Sequence, residues 1–309
     1  MDDLFTGRPS LLHEVVASAA KVLNTLLTPV GGMQAAVPFK LPWLTDGAPR
    51  FFFTQGLNVV RIEAQGMPVL SFTSRESTAK VVVALHGGAY VGEATIFHWW
   101  TYTSLARQTG ATVVVPGYTL SPAGTAETEV PRVADFISRV IDENGAENVS
   151  VLGDSAGGGL ALLAVQELVR RDSTRPGRLV LLAPWLDVSM SDPRLIDVDD
   201  PLLDVRNSKK FGRLWAGDLD IRDSLANPLF GSLSGLPPTV VYSSSRDLLC
   251  LDALRLRDRV IAERIPNIAF RLRQGLLHDF VIYAPLPDAR AERASLYDDL
   301  DLSSPRRDR

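Results

Sequence analysis

The most informative run of residues in the chain is Val149-Ser150-Val151-Leu152-Gly153-Asp154-Ser155-Ala156-Gly157-Gly158. Its first four residues predict a short buried strand, and apolar side chains recur at a helical spacing from Leu160 to Leu168. A serine between glycines, at a sharp strand-to-helix turn, is the context of a nucleophile elbow, in which the hydroxyl projects from the end of a sheet. We predict that Ser155 is a nucleophile. The alternative is a glycine-rich turn with an incidental serine.

A second glycine motif, His86-Gly87-Gly88, directly follows the apolar run 80–85, which predicts another buried strand. Acyl transfer places negative charge on the carbonyl oxygen of the substrate, and preorganised N–H donors must already point at that oxygen. Glycines let the backbone come close enough to supply them. The sequence therefore predicts an oxyanion hole made by the N–H groups of Gly87, Gly88 and Ala156, with His86 bracing the loop.

Histidine is scarce enough to restrict the choice of a general base. The four histidines are His13, His86, His98 and His278. In a triad built on this kind of elbow, the chain order is serine, acid, histidine, and only His278 follows Ser155. We expect His98 to be a solvated or packed residue near the start of a helix, and His13, in the N-terminal helix, to have no catalytic role.

The acid of the triad is expected in the segment Ser243-Ser244-Ser245-Arg246-Asp247, which follows a predicted strand. From there the carboxylate of Asp247 reaches the far ring nitrogen of His278 and stabilises the imidazolium. Two alternatives stay open. Asp252 fits better as the opening of a helix, and Asp187 fits better as a hydrogen-bond acceptor in a loop.

These motifs together resemble the hormone-sensitive-lipase-like carboxylesterases of bacteria. The residues that carry the resemblance are His86-Gly87-Gly88, Gly153 to Gly158, Arg246-Asp247-Leu248-Leu249, His278 and, less specifically, Pro184-Trp185-Leu186-Asp187, within a span from about Val81 to Leu300. The resemblance implies an α/β-hydrolase fold, hydrolysis of short- to medium-chain carboxylic esters through an acyl-enzyme, and no metal or organic cofactor. One departure is Ala89, which stands where the family usually has a third glycine.

Alternating strand and helix patterns predict an α/β fold, with a mostly parallel central sheet flanked by helices. Strands are predicted at 51–54, 57–63, 68–73, 80–85, 111–115, 148–152, 178–183, 238–243 and 268–273, and helices at 98–109, 127–143, 155–171, 251–264 and 286–300. The resemblance implies a cap over the site. We therefore expect an N-terminal cap segment at 1–50, an α/β-hydrolase core at 51–188 and 226–302, and a cap or lid insertion at 189–225.

An apolar stripe from Leu11 to Leu27 predicts a helix at the N-terminus. Because Lys21 is its only basic residue, we expect this helix to pack on its own protein rather than on a membrane surface. Tyr90, Trp99 and Trp215 are tentative substrate-binding residues, although aromatic residues at helical spacing are more often part of a core.

Composition is that of a globular enzyme. The chain has 309 residues, 46% of them hydrophobic, and a net charge of -4, which gives no electrostatic case for nucleic-acid binding. Its single cysteine excludes an internal disulfide, and its aspartate-rich stretch lacks the glycine and glutamate of a calcium loop, so no metal is expected. An acidic start and the absence of a membrane-length apolar run favour the cytoplasm, without stable membrane insertion.

The predicted partner is a small-molecule ester, and a homodimer is left open. Two other functions remain possible on these residues. The first is a non-catalytic ligand-binding protein on an esterase scaffold, and the second is an amidase or peptidase, because triad geometry does not distinguish ester from amide hydrolysis.

Overall fold

The centre of the computed structural model, which describes residues 4–27, 31–37, 44–45 and 47–302, is one eight-stranded sheet. The strands are β1 (Leu57–Ala64), β2 (Met67–Ser74), β3 (Val81–Leu85), β4 (Thr112–Pro116), β5 (Val149–Asp154), β6 (Arg178–Leu182), β7 (Thr239–Ser244) and β8 (Ile268–Arg273). Their order is β1-β2-β4-β3-β5-β6-β7-β8. β1 pairs antiparallel with β2, and β2 pairs antiparallel with β4. All other pairs are parallel.

The alternation of side chains along β3 shows why its sequence is apolar throughout. Val81, Val83 and Leu85 belong to the core on one side of the sheet, and Val82 and Ala84 to the core on the other side. Because successive side chains point to opposite faces, a central strand covered on both faces needs an apolar residue at every position. The fold is therefore a three-layered α/β structure, as predicted.

Helices cover both faces of this sheet. They are α1 (Leu11–Leu27), α2 (Phe51–Thr54), α3 (Ile96–Thr109), α4 (Ala126–Asn144), α5 (Ser155–Arg170), α6 (Val205–Ala216), α7 (Cys250–Ala262) and α8 (Pro287–Asp299). Residues of α4, α5, α6 and α7 contribute to one core, and residues of α3 and α8 to the other. None of the helices in the described ranges is both long and apolar enough to cross a membrane.

The strand predicted at 51–54 is wrong, because these residues form the single helical turn α2. Of its three consecutive phenylalanines, only Phe53 is buried, and its ring packs 5.9 Å from the ring of Trp100 in α3. Arg107 of α3 donates to the carbonyl oxygens of Phe53 and Gln55, which lie at the C-terminal end of this turn. Packing and capping by α3 therefore override the strand propensity of an aromatic run. The other eight predicted strands are confirmed, with ends that differ by one or two residues.

Helix α1 is confirmed, but the expectation that its apolar stripe packs on the protein is wrong. The two buried side chains of this helix are His13 and Ala17. Most of the large side chains of the stripe are exposed, namely Leu11, Leu12, Val15, Val16, Val22, Leu23 and Leu26. Polar contacts instead decide which face of the helix lies against the protein. Glu14 forms an ion pair with Arg246, and Ser10, just before the helix, donates a hydrogen bond to Asp288.

The turn from β5 into α5 is held at a very short distance from β3. A Cβ added at Gly157 would lie 2.1 Å from the carbonyl oxygen of Leu85 and 2.4 Å from that of His86. A Cβ at Gly153 would lie 2.3 Å from the carbonyl oxygen of Gly157. Any side chain at these positions would push the first turn of α5 away from the sheet, so glycine is required for close packing.

We expect Gly157→Ala to lower the free energy of unfolding by about 3 kcal/mol, because the methyl group overlaps backbone atoms that cannot move independently. Urea denaturation followed by circular dichroism measures this loss. The control is Gly66→Ala in the turn between β1 and β2, where a Cβ meets nothing within 4 Å and only the positive φ of +69° is unfavourable. That variant should lose about 1 kcal/mol. Equal losses in the two variants would contradict the packing argument.

Candidate active site

Ser155 is the first residue of α5 and adopts the backbone conformation expected at a sharp elbow. Its φ is +51°, in the left-handed region that non-glycine residues rarely occupy. Its carbonyl oxygen accepts a 2.9 Å hydrogen bond from the backbone N–H of Trp185. The side chain is 8% exposed. The strain is maintained by the tight packing of the glycines around the turn, and it holds the hydroxyl at the end of β5.

His278 and Asp247 come together with Ser155 although they lie far apart in the sequence. Nε2 of His278 is 2.9 Å from Oγ of Ser155, and Nδ1 is 3.0 Å from Oδ2 of Asp247. Asp247 follows β7 and His278 follows β8, so the ends of parallel strands deliver all three groups to one edge of the sheet. This is the hydrogen-bonded order of a serine triad.

Electrostatics at His278 favour a proton on the ring. Burial lowers the pKa of the imidazole, but the charges of Asp247 and Asp279 outweigh it, so the pKa lies well above the ordinary 6.5. A carboxylate on Nδ1 leaves Nε2 as the nitrogen that faces the serine hydroxyl. In its neutral form, the ring is therefore oriented to take a proton from Ser155.

The alternative acids Asp187 and Asp252 do not contact His278. Asp187 accepts hydrogen bonds of 2.7 Å from both Arg255 and Ser191. Asp252 lies in the first turn of α7 and accepts the backbone N–H of Asp187 at 2.9 Å. Burial and the nearby charge of Asp187 raise the pKa of Asp252 to about 7. Both carboxyl groups are thus used to fix the loop after β6.

Asp154 is a buried carboxylate whose role the sequence did not reveal. Its Oδ2 accepts the backbone N–H of Gly87 at 2.9 Å and lies 2.9 Å from Nε2 of His98. Nδ1 of His98 accepts the backbone N–H of Thr95 at 2.8 Å, which leaves Nε2–H as the donor to Asp154. His98 is therefore a buried link between α3 and the elbow, more specific than the packed or solvated residue expected. The nearest sequence signal was its place three residues after Thr95, which caps α3.

The oxyanion role predicted for Gly87 needs correction, because its N–H already donates to Asp154. Gly88 and Ala89 line the cavity beside Ser155, with φ values of +125° and +53°. The N–H groups of Gly88, Ala89 and Ala156 have no hydrogen-bond acceptor among the described residues. These three donors are the ones available to an oxyanion.

His86 occupies the supporting position expected of it. Its ring stacks on Tyr118 at a centroid distance of 4.7 Å, and Nδ1 lies 2.7 Å from the carbonyl oxygen of Gly87. The Tyr118 hydroxyl donates to the His86 carbonyl oxygen at 2.8 Å. Burial lowers the pKa of His86 to about 4, so the ring is neutral at physiological pH.

A cavity of about 290 Å³ opens beside Ser155 and His278. Both expected cap segments contribute to its wall, with Gln34 and Val37 from the N-terminal segment and Leu202, Leu203 and Ser208 from the insertion. Most of its remaining lining is apolar. The apolar and aromatic side chains at this wall include Leu44, Phe97, Trp185, Leu249, Ile282 and Tyr283.

The tentative substrate-binding residues Tyr90, Trp99 and Trp215 do not line this cavity. Tyr90 and Trp215 are fully buried and stack on each other at a centroid distance of 3.8 Å. Trp99 packs in the opposite core against Phe72, at 6.1 Å. All three side chains belong to the hydrophobic cores, which is the commoner place for large aromatic residues.

Helix α1 and the insertion both hold the backbone next to the acid and the base. Nε2 of His13 accepts the N–H of Leu277, the residue before His278, at 2.8 Å. Arg246, the residue before Asp247, forms a two-pronged ion pair with Glu14. Asp200 of the insertion accepts the N–H of Leu248, the residue after Asp247, at 2.7 Å.

Burial and the charge of Asp247 raise the pKa of Asp200 to about 6. No local sequence pattern indicates this supporting role of His13, because its partner Leu277 lies 264 residues away.

Comparisons with known proteins identify the family to which the chain belongs. A family model described as alpha/beta hydrolase fold matches residues 82–282. A triacylglycerol lipase of Mycobacterium tuberculosis is 40% identical over 248 residues, which cover 79% of this chain and 52% of the lipase. This chain thus spans about half the length of that relative.

Two further relatives match most of their own length. A protein of the same organism, provisionally named acetyl-hydrolase LipR, is 30% identical over 94% of this chain and 92% of its own. The crystal structure of an esterase from the bacterial hormone-sensitive lipase family superposes with a TM-score of 0.74, at 25% identity, over 80% of this chain and 84% of that one.

The contact between His13 and Leu277 predicts a pH-dependent share of stability. Burial lowers the pKa of His13 from its ordinary 6.5, so the folded protein prefers the neutral ring. This contribution is complete above pH 6.5 and is lost as the pH falls towards the lower folded value. We expect the free energy of unfolding to fall less between pH 7.5 and pH 5 in His13→Gln than in the unchanged protein.

His13→Gln should also lose about 1 kcal/mol at pH 7.5, since the acceptor for Leu277 is weakened. Urea unfolding at the two pH values measures both effects. Parallel pH profiles for the two proteins would contradict the assignment.

Proposed function

Because the chain belongs to the alpha/beta-hydrolase-fold family, as a hormone-sensitive-lipase-like ester hydrolase, we propose that it cleaves short- to medium-chain carboxylic esters through an acyl-enzyme. The observation that carries the proposal is the chain of contacts from Asp247 through His278 to Ser155, at 3.0 and 2.9 Å. Such an arrangement generates a serine nucleophile once the ring of His278 is neutral.

The first half of the proposed reaction acylates the serine. As Oγ of Ser155 bonds to the ester carbonyl carbon, its proton passes to Nε2 of His278. Asp247 accepts the Nδ1–H hydrogen bond of the ring and stabilises the imidazolium. Collapse of the tetrahedral intermediate breaks the bond to the alcohol oxygen, which takes the proton from Nε2. Water then repeats these steps on the acyl-enzyme and releases the carboxylic acid.

The N–H groups of Gly88, Ala89 and Ala156 are the proposed oxyanion donors. Each such donor is typically worth about 3 kcal/mol of transition-state stabilisation. Gly87 supports them indirectly, because its bond to Asp154 fixes the loop after β3 relative to the elbow. The substitution of Ala89 for a third glycine leaves an N–H at that position, so the donor is retained.

We propose that the cap over the site consists of 189–225 and the N-terminal segment 1–50, of which 1–3, 28–30, 38–43 and 46 lie outside the described residues. Their residues Gln34, Val37, Leu202, Leu203 and Ser208 line the cavity, which supports this division. The volume of about 290 Å³ lies near the lower limit of small-molecule sites. A small, largely apolar cavity favours short acyl chains over long ones.

Ser155→Ala should abolish ester hydrolysis while leaving the fold intact, because only the attacking oxygen is removed. We expect p-nitrophenyl butyrate turnover to fall by at least about a thousandfold. Circular dichroism and the urea midpoint control for folding. A fluorophosphonate probe should label the unchanged protein at Ser155 and leave the variant unlabelled. Most of the original rate in the folded variant would refute Ser155 as nucleophile, and an unlabelled, inactive parent protein would indicate a ligand-binding protein instead.

The acyl-chain profile tests the cap assignment. For p-nitrophenyl esters, kcat/KM should be highest at short to medium chains and fall by about tenfold or more for long ones. Leu203→Ala should move the optimum to longer chains, because it removes apolar volume from the cavity wall. The matched control is Ile196→Ala in the same insertion, where the side chain is 87% exposed and does not line the cavity. Identical profiles for both variants would remove the insertion from the substrate site.

A further inference from the structure

The imidazole of His278 lies between two carboxyl groups, of which the triad uses one. Oδ2 of Asp279 is 3.0 Å from Nε2, the nitrogen that lies 2.9 Å from Oγ of Ser155. Oδ2 of Asp247 lies 3.0 Å from the other ring nitrogen, Nδ1. Nε2 is the atom that gains and loses the proton in each step of the proposed reaction. A negative charge at this distance therefore acts directly on its affinity for a proton.

Apart from its contact with His278, Asp279 makes no side-chain hydrogen bond within the described residues that would explain its burial. Asp279 is 6% exposed, and its Oδ1 has no hydrogen-bond partner in the described part of the chain. It precedes the short 3-10 helix Phe280–Ile282, but its side chain does not cap that helix. A buried carboxyl with an unpaired oxygen is unfavourable for folding, so a role at the neighbouring ring explains its presence better than packing does.

The backbone at Asp279 is also strained. Its φ is +55°, in the left-handed region. Aspartate, asparagine and glycine tolerate this region better than other residues. Asparagine and glycine are therefore variants that remove the charge without adding backbone strain.

We propose that Asp279 acts through His278 as a second carboxylate, which stabilises the imidazolium during proton transfer and sets the pH at which the ring becomes free to act as the base. The inference rests on the proposed function and adds a positioning residue to it. No proton has to move onto Asp279 in the reaction. The proton passes from Ser155 to Nε2 and from Nε2 to the leaving alcohol, while the carboxylate of Asp279 faces the transient N–H.

The two residues titrate as a coupled pair, whose proton affinities belong to the pair rather than to either residue. Burial raises the pKa of Asp279 to about 7, against the opposing charge of His278. At low pH both groups carry a proton, and the two protons leave one after the other as the pH rises. The active form, with a neutral ring beside a carboxylate, is reached only after the second proton leaves. The carboxylate delays this second loss to higher pH.

Other charged and titratable groups surround the pair on every side. They are Asp247 after β7, Asp154 at the elbow, Asp200 of the insertion, His98 of α3, and Tyr283 just beyond the 3-10 helix. Of these described groups, only Asp247 forms an ion pair with the ring of His278. Asp154 and Asp247 carry negative charge that opposes ionisation of Asp279 and raises its pKa further. Among the described residues, Asp279 is the one charged neighbour of Nε2, and its charge can be removed without breaking the contacts of Ser155, His278 and Asp247.

The test compares pH profiles of kcat/KM for p-nitrophenyl butyrate in the unchanged protein, Asp279→Asn and Asp279→Gly. In both variants the acidic limb should move to lower pH by about one unit or more, because a carboxylate in contact with the ring is lost. The plateau at high pH should fall by about tenfold or less, since a less basic ring is a weaker base. Asp279→Glu should restore part of the shift. An acidic limb that stays in place in both variants would overturn the inference.

Glu93→Gln is the matched control, because Glu93 lines the same cavity but forms no contact with the ring of His278. It should move the acidic limb much less than Asp279→Asn does. Equal shifts would mean that any negative charge in the cavity suffices, and would overturn the specific role of Asp279.

A measurement without turnover separates this inference from the proposed function. With only four histidines, ¹⁵N-histidine-labelled protein allows the ring of His278 to be followed by NMR. In the Ser155→Ala protein, adding Asp279→Asn should lower the titration midpoint of His278 by about one unit or more. If the unchanged protein hydrolyses no ester but this midpoint shifts, the proposed function fails and the coupling stands. If hydrolysis depends on Ser155 but the midpoint does not shift, only the coupling fails.

Discussion

The close contact between the first turn of α5 and the end of β3 is the constraint on which the site depends. Glycines at 153 and 157 let the turn approach the carbonyl oxygens of Leu85 and His86. This approach holds Ser155 at a positive φ and places Ala156 beside the loop after β3. Because Ser155 sits on one side of this packing contact and the loop with Gly88 and Ala89 on the other, their relative position is a property of the core.

Asp154 adds charged hydrogen bonds to this backbone packing contact. One buried carboxylate oxygen binds Gly87 and His98, and so connects the elbow, the loop after β3 and the start of α3. Such a network rigidifies its surroundings because each member is satisfied only when all are in place. Gly87 therefore uses its N–H to hold the loop, while the N–H groups of Gly88 and Ala89 have no acceptor among the described residues.

The acid and the base depend on parts of the chain outside the sheet. Their neighbours are held by His13 and Glu14 of α1 and by Asp200 of the insertion. The segments that line the cavity are therefore the same segments that fix the loops of Asp247 and His278.

The sequence by itself determined the local chemistry of this protein. Strand-turn-helix context identified Ser155, the small number of histidines identified His278, and apolar runs located eight of the nine predicted strands, because each of these signals lies within a few residues. Tertiary structure decided what depended on distant partners. Residues 51–54 form a helical turn, to which Arg107 donates a hydrogen bond. The N–H of Gly87 donates to Asp154 and is therefore not available as an oxyanion donor. Tyr90, Trp99 and Trp215 are buried away from the cavity. Tertiary structure also turned the polar face of α1 inward, because hydrogen bonds to residues more than 200 positions away outweighed the apolar stripe.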